Sequence, residues 1–82
     1  MDGADGTERR RVQWLCRRGM KELDLKLERY LDQYWADASE AERGTFRRLL
    51  DAQDPEIWSW LLARTEPPDA ELTALIQRLR DL

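Results

Sequence analysis

Apolar residues in this 82-residue chain recur at i, i+3, i+4 and i+7, and nowhere do they alternate as they would along a half-buried strand. Val12, Leu15, Cys16 and Gly19 form one stripe. Leu23, Leu27, Tyr30, Leu31 and Tyr34 form a second, with Lys26, Glu28, Arg29, Asp32 and Gln33 mostly off it. Leu25 breaks that pattern, and Trp35 at its end reads as an anchor for the loop that follows. Phe46, Leu49 and Leu50 mark a third helix, and Leu72, Leu75, Ile76 and Leu79 a fifth. Between them Ile57, Trp58, Trp60, Leu61 and Leu62 cover more than one face, which predicts a short fourth helix and the most buried of the set. The fold class is therefore all-α, a compact antiparallel five-helix bundle in a single small domain.

Start and stop signals divide the stripes. Thr7 reads as the first N-cap, with Glu8 in the first turn, and residues 1–6, with two glycines and two aspartates, read as a disordered tail before a domain over 7–82. The second helix is expected from Glu22 to Ala36. Ser39-Glu40-Ala41-Glu42 has the spacing of a capping box, in which Ser39 accepts from a first-turn amide and Glu42 reaches back. The third helix should continue to Asp51, and Gly44 within it, costing about 1 kcal/mol relative to Ala, suggests a close helix approach. Asp54 is expected to cap the fourth helix with Pro55 at its first position. Thr65-Glu66-Pro67-Pro68 reads as a stiff extended link, because each proline restrains its predecessor, and Asp69 should cap the fifth helix.

The residue inventory excludes much chemistry. There is no histidine, which removes the commonest general base and a major metal ligand, and one cysteine can form neither an internal disulfide nor a zinc cluster. No glycine-rich loop follows a strand. Cys16 reads as a small core residue, and Trp58 and Trp60 as packing residues. No constellation supports an enzyme, and no cofactor or metal site is expected. No secretory, transit or membrane-spanning segment is read, so the expected location is cytoplasmic. The net charge is −3, yet residues 9–21 hold six cations and no acid, leaving −9 for the remainder. Such polarity suits a partner surface or a steering field.

The densest stretch is Cys16-Arg17-Arg18-Gly19-Met20-Lys21-Glu22-Leu23-Asp24. Read locally, Gly19 ends one helix, Arg17 and Arg18 complement its negative end, and Glu22 and Asp24 the positive start of the next. The same residues, with Arg18-Gly19-Met20-Lys21-Glu22 as an Arg-Gly-x-x-Glu motif, resemble the signature of the small FAD assembly factors of succinate dehydrogenase, the SdhE family. Phe46-Arg47-Arg48-Leu49-Leu50, Asp54-Pro55-Glu56-Ile57-Trp58-Ser59-Trp60-Leu61 and Pro68-Asp69-Ala70-Glu71-Leu72 extend the resemblance from about Val12 to Leu79.

The resemblance implies a helical assembly factor, monomeric when free, that binds the flavoprotein subunit of succinate dehydrogenase, and of the related fumarate reductase. It implies promotion of covalent FAD attachment to a histidine of that subunit, the chain itself carrying no cofactor. Arg17, Arg18, Gly19, Met20, Glu22 and Asp24 are then the expected partner-binding residues. Arg supplies a planar fork for carboxylates or phosphates, and Gly19 admits another chain without a Cβ in the way. Two other readings stand beside it. One is a helical interaction module of another kind, such as an antitoxin-like regulator. The other is a nucleic-acid binder using Arg9 to Arg11 with Arg17 and Arg18, which the acidic balance of the whole disfavours.

Overall fold

The computed structural model describes the backbone of residues 3–82 and the side chains from Gly6 onward. Five α-helices follow one another: α1 (Gly3–Leu15), α2 (Lys21–Tyr30), α3 (Glu40–Leu50), α4 (Asp54–Leu61) and α5 (Ala70–Arg80). No strand occurs among the described residues. The helix α1 starts ahead of Thr7, so the predicted N-cap lies inside it. Once a helical turn is fixed, here by Glu8 on Arg47 at 2.7 Å and Arg9 on Asp32 at 3.0 Å, each added residue gains a hydrogen bond for little further ordering. Of the predicted tail, Met1 and Asp2 lie outside the described residues.

The second stripe forms the centre of the bundle. Leu23, Leu27 and Tyr30 of α2 are buried, and α2 runs without a break into a π-helical turn, Leu31–Trp35. That turn inserts an extra residue into the stripe and rotates Trp35 inward. Trp35 is therefore core, while Tyr34 sits half-buried at the edge under the Arg78 guanidinium, 4.7 Å from its ring. Phe46 of α3 stacks on Tyr30 at 4.5 Å between ring centres. Leu49 and Leu50 of α3, Leu72, Leu75, Ile76 and Leu79 of α5, Val12 of α1 and Cys16 just beyond it join this core.

The fourth helix is less central than its composition suggests. Ile57, Trp60 and Leu61 are buried against α5, but Trp58 is half-buried and Leu62 exposed. An eight-residue helix docked mainly on α5 buries one face and leaves the other toward solvent, whatever its composition. Gly44 likewise marks no close helix approach: a Cβ there would meet only the Arg47 guanidinium, at 3.7 Å.

Local caps formed where their side chains could act alone. Ser39 and Glu42 make both bonds of the capping box, at 3.1 and 2.8 Å. Asp69 accepts from the Leu72 amide at 2.9 Å. Asp54 does not cap α4: Gln53 holds the cap position, without a side-chain bond, and the Asp54 carboxylate turns elsewhere. At the other end of α4 the Ala63 amide donates to the Trp60 carbonyl at 3.0 Å and the Arg64 amide to the Ser59 carbonyl at 2.9 Å, a Schellman closure.

That closure places Ala63 at φ +59°, in the left-handed region where a Cβ costs on the order of 1 kcal/mol. Ala63→Gly should therefore raise stability by about 0.5–1 kcal/mol, the glycine's greater unfolded-state entropy offsetting part of the relief. Urea denaturation measures the change; an equal loss would mean that Ala63 is unstrained.

Candidate partner-binding surface

The α1 helix ends at Leu15, and Cys16 folds inward beside Val12 as a fully buried core residue. Burial is the main reason that its thiol is pushed up to about 12, with the Glu28 charge adding to it. The backbone then turns through Gly19 at φ +87° and an extended Met20 into α2. Only glycine takes that φ without strain, so the turn dictates the residue.

Arg18 holds this turn from inside. Its Nε donates to Asp54 Oδ1 at 2.6 Å, its Nη1 to the carbonyls of Leu15 at 3.0 Å and Leu50 at 2.9 Å, and its Nη2 to that of Ala52 at 2.7 Å. One guanidinium thus closes the carbonyl ends of α1 and α3 and ties both to the first residue of α4. Its side chain is 14% exposed. Asp24 completes the clasp: its two carboxylate oxygens accept from the amides of Arg18, at 2.9 Å, and Gly19, at 3.3 Å. A carboxylate in the first turns of α2 also suits the positive end of that helix. The local reading of Arg18 as a solvated helix-end charge therefore needs correction, because three of its four partners lie 32 to 36 residues away.

The other expected residues face outward. Arg17, Gly19 and Glu22 are exposed, and Met20 is half-buried against the core. A Cβ on Gly19 would meet nothing within 4 Å. Shallow grooves flank the turn. On one side Trp14, Leu15 and Arg17 face Asp51 and Gln53. On the other Leu25 lies beside Gly19 and Lys21.

Trp14 is 69% exposed, and Leu15, expected inside, is 41% exposed. Sequence reasoning missed Trp14 as a surface residue; its position off the Val12–Cys16 stripe was the available signal. Arg10, Arg11, Arg17 and Lys21 are exposed and form no ion pair among the described residues. The result is an apolar, cation-rimmed surface around a rigid turn. An acidic, partly apolar protein surface is its chemical complement. No described helix is long and apolar enough to cross a membrane, and no group among the described residues is arranged to hold a metal ion.

Residues 10–82 match the model of a protein family described as the flavinator of succinate dehydrogenase. Curated relatives carry the name FAD assembly factor SdhE. That of Xylella fastidiosa strain Temecula1 is 48% identical over 75 residues, 92% of this chain and 77% of its own. The Haemophilus ducreyi protein is 40% identical over 70 residues, 85% of each chain, and the Coxiella burnetii protein 36% identical over 73 residues, 89% of each.

Two outcomes follow from the clasp. Arg18→Ala strips charged donors from three carbonyls and a half-buried carboxylate and should cost about 2–4 kcal/mol by chemical denaturation, whereas Glu22→Gln should stay within about 0.5 kcal/mol of the parent. Equal effects would place Arg18 at the surface. Cys16, buried with a thiol pKa of about 12, should resist thiol reagents at pH 8 in the folded chain and react at once in denaturant.

Proposed function

The chain belongs to the family of succinate dehydrogenase flavinators, and we propose that it binds the flavoprotein subunit of that enzyme, promotes its covalent FAD attachment, and is an assembly factor rather than an enzyme. The observation that carries this reading is the division of labour within the Arg-Gly-x-x-Glu turn. Arg18 and Asp24 are consumed internally and fix its shape, while Gly19 is exposed and the exposed side chains of Arg17 and Glu22 make no hydrogen bond or ion pair among the described residues. Arg17, Gly19, Met20 and Glu22 then touch the flavoprotein, flanked by Trp14 and Leu25. Arg18 and Asp24 serve as positioning residues.

A preshaped turn loses little conformational freedom on docking, so more of its contact energy remains for selecting among the partner's states. The mechanism is a population shift. The bundle binds best to the domain arrangement of the flavoprotein in which its histidine meets the flavin, and so raises the fraction of molecules poised to react. All covalent chemistry resides in the partner. The chain is monomeric when free, acts in the cytoplasm, holds no flavin of its own, and extends its service to the fumarate reductase flavoprotein.

The test pairs flavin yield with folding. Glu22→Lys and Trp14→Ala should keep parental helix content and thermal midpoint yet weaken flavoprotein binding by about 1–3 kcal/mol each, seen as lost in-gel flavin fluorescence of the flavoprotein subunit. Gly19→Val should be worse, since the left-handed turn strains any Cβ and the contact also gains bulk. Well-folded Glu22→Lys and Trp14→Ala chains that support normal flavin attachment would remove this surface from the mechanism. Sub-micromolar FAD binding by the isolated chain would overturn the cofactor-free reading.

A further inference from the structure

A second concave site lies away from the Arg18 turn. It is a cleft of about 210 Å³ between the end of α2, the first turns of α3 and the middle of α5. Glu42, on its edge, and Asp51, beside the Arg18 turn, are nine residues apart along α3, which puts the two sites about 13 Å apart. The floor is apolar: the Tyr30 ring and Leu75, both buried, with Ala74 at the side.

Tyr30 is only 2% exposed, and its hydroxyl makes no hydrogen bond among the described residues. No buried side-chain polar atom among them is left unsatisfied, so the hydroxyl is the part of Tyr30 that opens to the cleft.

The rim supplies acceptors. Glu42 is held in place by the capping box, one oxygen accepting from the Ser39 amide at 2.8 Å, with the other 3.9 Å from Arg78. Glu71 offers one oxygen to Arg48 at 3.3 Å. Arg78 lines the cleft too, but its guanidinium already rests over the Tyr34 ring. Thr45 donates its hydroxyl proton to the Ala41 carbonyl, so its oxygen faces any ligand as an acceptor. Glu42, Glu71 and Asp69 against Arg48 and Arg78 leave one negative charge in excess.

We propose that this cleft receives a lysine side chain of a bound protein, its stem on Leu75 and the Tyr30 ring and its ammonium on the Tyr30 hydroxyl, Glu42 and Glu71. An ammonium carries three donors and no acceptor, which suits a site of acceptors around an apolar floor. A long methylene stem ending in a charge matches apolar walls below a charged rim. The inference does not depend on which protein brings the lysine. It adds a second contact to the outward turn, and failure at either surface is distinguishable from failure at the other.

The experiment is an NMR titration of the isotope-labelled chain with Nα-acetyl-lysine N-methylamide. The neutral comparator is the matching norleucine derivative, and butylammonium serves as a free amine. Saturable shifts should appear at Tyr30, Ala74 and Leu75, with a dissociation constant on the order of millimolar and at least about tenfold weaker binding of norleucine. Tyr30→Phe removes one oxygen and keeps the stack on Phe46. Glu42→Gln keeps an acceptor for the Ser39 amide and removes the charge. Each should weaken the lysine probe by about fivefold with unchanged helix content. Equal binding of norleucine, or folded variants that bind as the parent does, would overturn the assignment. So would binding of butylammonium without the blocked lysine, which would mean that the cleft excludes a side chain carried on a backbone.

Discussion

Helix ends, more than helix faces, organise this molecule. The last carbonyls of every α-helix lack intrahelical partners and sit at its negative pole. In this chain a cation from another segment meets each such end. Arg18 closes α1 and α3. Arg43 donates to Trp35 and Ala36 at 3.0 and 3.2 Å, where the π-helical turn stops. Arg80 donates to Leu61 and Trp60 at 3.1 and 2.8 Å, closing α4. Lys26 reaches Leu79, Arg80 and Leu82, closing α5, and Arg29 joins it on Leu82. An 82-residue chain buries a modest apolar area, so bonds that satisfy orphan carbonyls and fix neighbouring helices at once contribute where core volume cannot.

Arg18 stands apart among these cations because it serves three elements. Its bonds to Leu15, Leu50 and Asp54 fix the corner at which α1, α3 and α4 meet, and the Arg-Gly-x-x-Glu turn is the outer skin of that corner. The motif therefore has two faces with different physics. Its inward members are held by short bonds from a largely buried guanidinium and respond to substitution as structural groups. Its outward members have open surroundings. A motif read as one patch of charge would merge these roles.

What was legible in the sequence was what a few consecutive residues decide. The spacing of Leu72, Leu75, Ile76 and Leu79 gave a helix whose four apolar residues are all buried, and Ser39 and Asp69 cap as their positions foretold. Gly19 has a left-handed φ, but α1 stops at Leu15, so Arg17 and Arg18 lie beyond its last turn and the glycine turns the chain into α2 instead of ending α1. The misreadings fall where distant residues decide. Asp54 had every local qualification for a cap, but Arg18 offers a charged donor and takes the carboxylate instead. Trp35 replaces Tyr34 in the core because a π-helical turn shifts the register, which no residue type announces. Leu15 keeps the stripe's spacing, but α1 ends at it and the leucine is left exposed. Sequence proximity grouped six residues of the turn, and their tertiary partners show that Arg18 and Asp24 are bonded internally while the side chains of Arg17 and Glu22 lie exposed.

The internal use of cations also changes what the charge pattern means. Of the six between residues 9 and 21, Arg18 is spent on the corner and Arg9 pairs with Asp32. The four left, Arg10, Arg11, Arg17 and Lys21, all lie exposed on α1, on the turn that follows it, or at the first position of α2. Their combined field reaches about one Debye length, ~8 Å at physiological salt, beyond the surface, enough to bias the orientation of an approaching acidic partner before any contact forms. Orientation supplied by four solvated charges and shape supplied by one buried one are separable contributions. The first is screened by salt and governs the rate of encounter. The second persists in salt and governs how long the docked turn keeps its form.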